Sequence, residues 1–350
     1  KKPPLAASCW TRSRWKIQLM MNKAEKAVTT AEFTVPFTDA LLPFSAETVN
    51  ARRLDFDKPS PALFLKSLPD GAYTCARAHC QITEGNCTGL AKENEQEKAE
   101  QSVLLKDFHI QRLLESFNRL FPSKRNLVGP SILSSFIDHL LLKHWGLHKA
   151  SCKQTFFLTV LVYAAGNSLT LSGHLMTPSI ADTYCVPLVL ITKLQTSNQN
   201  RIGLGAPAKS SVWIQERTPL EGLKNTCSPS ASEIIMTDSD GISLLEGLIT
   251  NVFVVINGVV YTAGSNVLEG HMRYLVLQIC KRLNVPLLLT SPKLTSIDDW
   301  DEMFLTSTTK PVCQVRQAVI HECGKRKTFS DFTVGSKIQQ FLKDTYLDVH

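Results

Sequence analysis

The residues best suited to chemistry in this 350-residue chain concentrate between positions 244 and 310. Gly270-His271-Met272-Arg273 opens a segment in which Met272, Leu275, Val276, Ile279 and Leu283 recur at three- and four-residue spacing, the period of a helix with one buried face. The first N–H groups of a helix have no partner within it. His271 and Met272 can therefore present theirs to an anion, and Gly270 lets that anion approach the main chain closely. Farther on, Met303-Phe304-Leu305 reads as a buried strand entering Thr306-Ser307-Thr308-Thr309, a second set of donors suited to phosphate. Between the two, β-branched and aromatic runs at 252–256 and 259–262 flank Asn257-Gly258, the dipeptide of a tight two-residue hairpin.

Taken together, this unit resembles the class IV (fold-type IV) pyridoxal-phosphate enzymes: branched-chain and D-amino acid aminotransferases and aminodeoxychorismate lyase. Glu246 stands five positions before Asn251, the family's interval from an acid to the start of the hairpin strand. Gly270-His271-Met272-Arg273 is similar to its Gly-x-x-Arg helix start, and Thr306 to Thr309 to its Thr-rich phosphate loop. Upstream, Gly71-Ala72-Tyr73-Thr74-Cys75-Ala76-Arg77 and His109-Ile110-Gln111-Arg112-Leu113 look most like the lyase branch. In all, the resemblance spans about residues 60 to 320.

The resemblance implies an α+β fold of two domains with mixed sheets and pyridoxal 5'-phosphate in the cleft between them, in a homodimer acting on small amino acids and keto acids. A pyridoxal-phosphate enzyme needs a Lys able to form a Schiff base, an acid on the pyridine nitrogen, and donors around the phosphate. Two lysines compete for the first role. The family places a helix, a strand and a turn between its Lys and its Glu, and only the longer spacing, from Lys209, has room for all three; Lys224 stands at a helix end, where a solvated charge is the ordinary reading. Glu246 then faces the ring nitrogen, while Arg112, Thr250, His271, Met272, Thr308 and Thr309 hold the cofactor. Tyr73 and His174 are the substrate-side candidates.

Two departures leave the substrate open. Where D-amino acid aminotransferases carry an Arg and a His, this chain has Ser172-Gly173-His174, and Lys66 replaces an aromatic residue. A carboxylate would fall to His174, Lys66 or a partner subunit. Aminotransferase is the expected activity; a lyase of the aminodeoxychorismate type, or a non-catalytic descendant of the fold, are the alternatives. The segment 203–208 (GLGAPA) also resembles a dinucleotide-binding turn, but Pro207 falls where its helix should start and no ribose-binding acid follows at the right distance.

Composition excludes other classes. Hydrophobic content of 43% with 20% charge is that of a globular protein, and the longest apolar run, at 156–166, is too short to span a bilayer. The net charge of +7 has no dense basic stripe, which argues against nucleic acid. Ten cysteines without CxxC or Cys/His metal spacing read as free thiols of a reducing cytoplasmic or organellar compartment, and no metal is expected. The basic stretch 1–24 reads as a transit-peptide remnant or as an extension from an inaccurate gene model, and Asn86-Cys87-Thr88 matches a glycosylation tripeptide.

Three units follow: a poorly ordered extension at 1–45, a smaller α/β domain at 46–170, and a larger cofactor-binding domain at 171–350. Strands are expected at 62–65 and 72–78, a polar insertion at 81–101, helices at 104–121 and 132–147, and a strand at 156–165. A crossover at 171–178 leads to a strand at 186–191, a helix from 209 to 223, and a strand at 234–236.

Overall fold

A computed structural model describes residues 14–21, 27–36, 60–80, 103–145, 154–165, 168–176, 185–186, 188–193 and 208–347. The polar insertion, the glycosylation tripeptide and residues 203–207 lie outside these.

An antiparallel sheet of five strands forms the first layer: β1 (Arg14–Met21), β2 (Ala27–Pro36), β3 (Ala72–Cys80), β4 (Gln154–Ala165) and β5 (Ser168–Met176), in the order β1-β2-β5-β4-β3. Successive side chains of a strand point to opposite faces. On β3 the small residues Ala72, Ala76 and Ala78 turn toward the helices α2 (Lys106–Leu120) and α3 (Pro130–Trp145), sharing a core with Leu113, Phe117, Phe136 and Leu140. Tyr73 takes the other face, packing with Phe64, Leu65, Leu161 and Ile214.

Three expectations are corrected here. Residues 62–65 are helical, not extended: α1 (Pro61–Lys66) is capped by Ser60, whose side chain accepts from the Leu63 N–H at 3.2 Å, with Pro61 in the first turn. Ser-Pro before an apolar run is a helix-start signal that outweighed the apolar content. Residues 171–176 are no crossover but the second half of β5, paired with both β4 and β2. The extension at 1–45 holds regular structure, because β1 and β2 pair with each other and β2 continues the sheet along β5.

The second layer is a mixed sheet of eleven strands: β6 (Cys185–Val186), β7 (Val189–Lys193), β8 (Glu233–Thr237), β9 (Leu244–Gly247), β10 (Asn251–Ile256), β11 (Val259–Tyr261), β12 (Leu287–Leu288), β13 (Glu302–Thr306), β14 (Cys313–Val315), β15 (Gln317–Ile320) and β16 (Arg326–Thr328). The main path runs β16-β15-β7-β8-β9-β10-β13-β14-β6, with β11 and β12 beside β10. Only Arg316 separates β14 from β15, and its N–H donates to Val186 O at 3.0 Å, so the chain ties the two ends of the path together and the sheet curls. The single strand expected at 186–191 is thus two, on opposite parts of this curl. Asn257 (φ 51°) and Gly258 (φ 75°) make the expected turn between β10 and β11.

Helices α6 (His271–Arg282) and α7 (Thr333–Leu342) cover one face through Phe253, Phe304, Leu275, Ile279 and Ile338. The helix expected at 209–223 is two pieces, α4 (Trp213–Glu216) and α5 (Thr218–Cys227), meeting at Arg217. No helix of the described residues is long and apolar enough to cross a membrane. Six described cysteines are free thiols.

The two layers meet along a short seam. Tyr73 N–H donates to Lys209 O at 2.9 Å, Ser211 N–H to Gly71 O at 2.9 Å, and Gly71 N–H to the Ser211 hydroxyl at 3.0 Å. The segment thereby covers the edge of β3, and Gly71 is required there: a Cβ would lie 2.3 Å from Val162 O. Ser211→Ala strands the Gly71 N–H, and we expect a loss of about 1–3 kcal/mol in urea unfolding; an unchanged midpoint would show that the seam contributes nothing to stability.

Candidate active site

The seam opens onto a cavity of about 270 Å³ between the two sheets. Lys209, Glu246, Arg112, Thr250, His271, Met272, Thr308, Thr309 and Tyr73 all line it. His174, the remaining candidate, does not: it is buried in β5 with its ring stacked on Phe64 at 5.0 Å. Lys224 sits in α5 and Lys66 at the exposed end of α1, and neither lines the cavity.

Lys209 is half-buried. Its backbone is held from both sides, N–H to the Ser116 hydroxyl at 3.0 Å and carbonyl to the Tyr73 N–H, and its ammonium lies 4.6 Å from the Tyr73 ring centroid. An ammonium over a ring face is stabilised there by the ring's electron-rich face. Glu246 is buried on β9, register-paired with Asn251 of β10. Its Oε2 accepts from Asn251 Nδ2 at 3.2 Å and from the Leu268 N–H at 2.9 Å, while Asn251 Nδ2 also donates to Leu268 O at 2.8 Å. The spacing of five between Glu246 and Asn251 is therefore a physical requirement: it spans the turn that puts the two residues opposite each other. Gly270 completes the arrangement, since a Cβ there would stand 2.3 Å from Asn251 Oδ1.

Donors and positive charge gather at one end. Arg112 donates to Thr74 Oγ1 at 2.8 Å and to Glu269 O at 3.0 Å, just before α6 begins. Arg77 crosses between the sheets, its Nε donating to Thr308 O at 2.7 Å, while Thr308 Oγ1 donates to Cys75 O at 3.3 Å. His109 hydrogen-bonds Thr74 through Nδ1 at 2.8 Å, and its ring lies 4.5 Å from that of His271. Sequence reasoning gave no role to Arg77, Thr74 and His109, although all three lay within the quoted family segments; Thr306 was read only as part of the hydroxyl loop. Alternation along β3, which puts Arg77 on the face of Tyr73, and the i, i+3 spacing of His109 and Arg112 were the available signals.

The local field is strongly positive. Desolvation lowers the Arg112 guanidinium to about 10, still charged near neutrality. His109 is pushed well below the ordinary imidazole value, first by burial, then by His271, Arg112 and Lys209; His271 likewise by burial, then by Arg112, Lys209 and Arg77. Arg112 Nε, His109 Nε2, His271 Nε2 and Thr306 Oγ1 are buried without a hydrogen-bond partner among the described residues. Buried polar groups are ordinarily satisfied, and cations collected in one place cost energy unless an anion joins them. The site is built for an anion.

Residues 224–318 match the model of the class IV amino-transferase family. That segment holds Glu246, Thr250, the start of α6 and the 306–309 loop; Lys209 and Arg112 precede it. Among solved structures, the branched-chain aminotransferase of Thermoproteus uzoniensis with norvaline superposes with a TM-score of 0.55 at 18% identity, covering 78% of this chain and 84% of that one. A hypothetical aminotransferase from Mycobacterium tuberculosis in its PLP-bound form gives 0.58 at 12% identity over 91% and 100%, and the Escherichia coli branched-chain aminotransferase 0.54 at 16% over 79% and 86%. No curated protein matches by sequence. The chain carries the class IV family segment on the fold-type IV aminotransferase fold.

The buried imidazoles give a pH signature. Unfolded histidines take up protons below about pH 6.5, whereas His109 and His271 in the fold resist until lower pH, so the unfolded state binds more protons in that window. Stability should therefore fall as pH drops from 7 toward 5, and His271→Gln should flatten the slope in denaturant titrations across that range. An equal slope in the variant would mean that His271 does not contribute.

Proposed function

We propose that the cavity binds pyridoxal 5'-phosphate through Lys209 and that the protein is an aminotransferase moving an amino group between an amino acid and a 2-keto acid. The observation that carries this is the placement of Lys209 and Glu246 on the walls of one cavity whose end is crowded with anion donors. The residues fit the cofactor. Arg112, the leading N–H groups of α6 at His271 and Met272, and the hydroxyls of Thr306, Thr308 and Thr309 suit its phosphate, and of the unpartnered buried atoms those of Arg112, His271 and Thr306 belong to residues that line the cavity, where an ester phosphate would satisfy them.

When bound, pyridoxal phosphate supplies a reactive carbonyl and a conjugated ring that takes up an electron pair from the substrate α-carbon. Lys209 would supply the amine that holds the cofactor, and its Nζ, when free, would carry a proton from the substrate α-carbon to the other end of the transfer. Glu246, fixed by Asn251 and the Leu268 N–H, would keep the ring nitrogen protonated. Thr250, donating to Glu233 at 3.3 Å, stiffens the turn between β9 and β10 that carries Glu246. Tyr73 positions Lys209 through its ring and its N–H.

Purified protein given pyridoxal phosphate should acquire a band near the visible edge that Lys209→Ala abolishes and Lys224→Ala leaves intact. A band that survives Lys209→Ala would remove that lysine from the role, and a chain that never takes up the cofactor would favour a non-catalytic descendant. Incubating the loaded protein with L- and D-amino acids, without keto acid, should convert it to the pyridoxamine form. Pyruvate release from aminodeoxychorismate with no such conversion would make it a lyase instead.

Arg112→Ala should weaken cofactor binding by roughly 1.5–3 kcal/mol, the range for losing a charge-assisted contact. Unchanged affinity by fluorescence titration would place the phosphate elsewhere.

A further inference from the structure

On the aminotransferase reading just given, the substrate needs a partner for its carboxylate, and neither residue the sequence offered is in place: His174 is stacked against Phe64 away from the cavity and Lys66 is exposed at the end of α1. Arg112 is engaged by Thr74 and the Glu269 carbonyl at the phosphate end. One further arginine lines the cavity. Arg217 stands where α4 meets α5, its side chain only 13% exposed.

Its position is fixed from two directions. The Arg217 N–H donates to Trp213 O at 3.0 Å, and the Trp213 indole donates to Leu248 O at 2.7 Å, which ties this corner to the chain two residues past Glu246. The guanidinium meets Glu221, one turn along α5, with Nε 2.9 Å from Oε1; Glu221 is 39% exposed. Nε is buried and makes no hydrogen bond, so Glu221 is an ion-pair neighbour, and no hydrogen bond from the guanidinium to another described residue competes for it. The cavity wall beside Arg217 is apolar, with Trp213, Ile214 and Leu248, and a charge in such surroundings attracts an opposite charge more strongly than it would in water.

We propose that Arg217 is the carboxylate anchor of the amino-acid and keto-acid substrates, gripping both oxygens through its terminal nitrogens, with Glu221 as the ion-pair partner on the side of Nε. A planar fork matches a carboxylate in a way that a lysine does not. The cavity would then separate its two anions, phosphate at the Arg112 end and carboxylate at the Arg217 corner, with Lys209 and Glu246 on the walls between.

The test uses the cofactor-loaded protein and pairs each amino acid with the amine made by removing its carboxylate: alanine with ethylamine, leucine with 3-methylbutylamine, in both enantiomers of the acids. Single-turnover conversion is followed in wild type, Arg217→Gln and Arg217→Lys, each first checked for the cofactor band. We expect the wild type to prefer the acids, and Arg217→Gln to lose roughly 10- to 100-fold in efficiency on acids, chiefly through a higher KM, with little change on amines. Arg217→Lys, which keeps the charge without the fork, should recover part of that loss.

Equal losses on acids and amines, no loss, or a loaded wild type that converts no acid of the panel would overturn the anchor while leaving the cofactor site standing. A wild type that takes up no cofactor counts against the aminotransferase reading itself. In that case calorimetry of acetate and 4-methyl-2-oxopentanoate binding to the unloaded protein decides on Arg217, which fails if Arg217→Gln binds them as wild type does.

Discussion

Everything at the site depends on the seam between residues 71–73 and 209–211. Three hydrogen bonds cross it, and each of its ends carries a residue that faces the cavity: Tyr73 from the first sheet, Lys209 from the chain entering the second. A lysine on a loop between two sheets would ordinarily sweep a large volume. Here its backbone is fixed by Tyr73 and Ser116, so only the side chain is left to move, and the Tyr73 ring limits that. Gly71 is the enabling residue, because any side chain would strike Val162 and push the strands apart.

The second constraint is electrostatic. Arg112, Arg77 and Lys209 approach one another, and the fold tolerates this by leaving the intervening histidines neutral and by spending carbonyl groups on the guanidinium nitrogens. Glu269 and Thr308 contribute main-chain oxygens, which stabilise a cation without neutralising it. The net charge stays available to a ligand. Glu246 illustrates the reverse economy: it is buried, and two donors hold it as an acceptor aimed at one place.

Much of this was legible in the sequence because it is local. The Asn257-Gly258 turn, the helix start at Gly270, the pairing of Glu246 with Asn251 and the hydroxyl loop each depend on residues within a few positions of one another, and so does the match over 224–318. What the sequence hid was long-range or a conflict of signals. Phe64 and Leu65 are apolar enough for a strand, yet Ser60-Pro61 fixes a helix. Residues 171–176 read as a connection because nothing local reveals that two strands flank them. His174 matched a family position in sequence but faces Phe64, and Arg217 was passed over as part of a continuous helix that in fact breaks at that residue. Which way a side chain faces is decided by partners far along the chain, and there the sequence was silent.

The central claim is that Lys209 carries the cofactor, and chemical trapping tests it most directly. Protein loaded with pyridoxal phosphate is reduced with borohydride, digested, and its peptides mapped by mass spectrometry. The account predicts a single stoichiometric adduct on Lys209. An adduct on Lys224 or Lys66, or label scattered over surface lysines with none at Lys209, would contradict it.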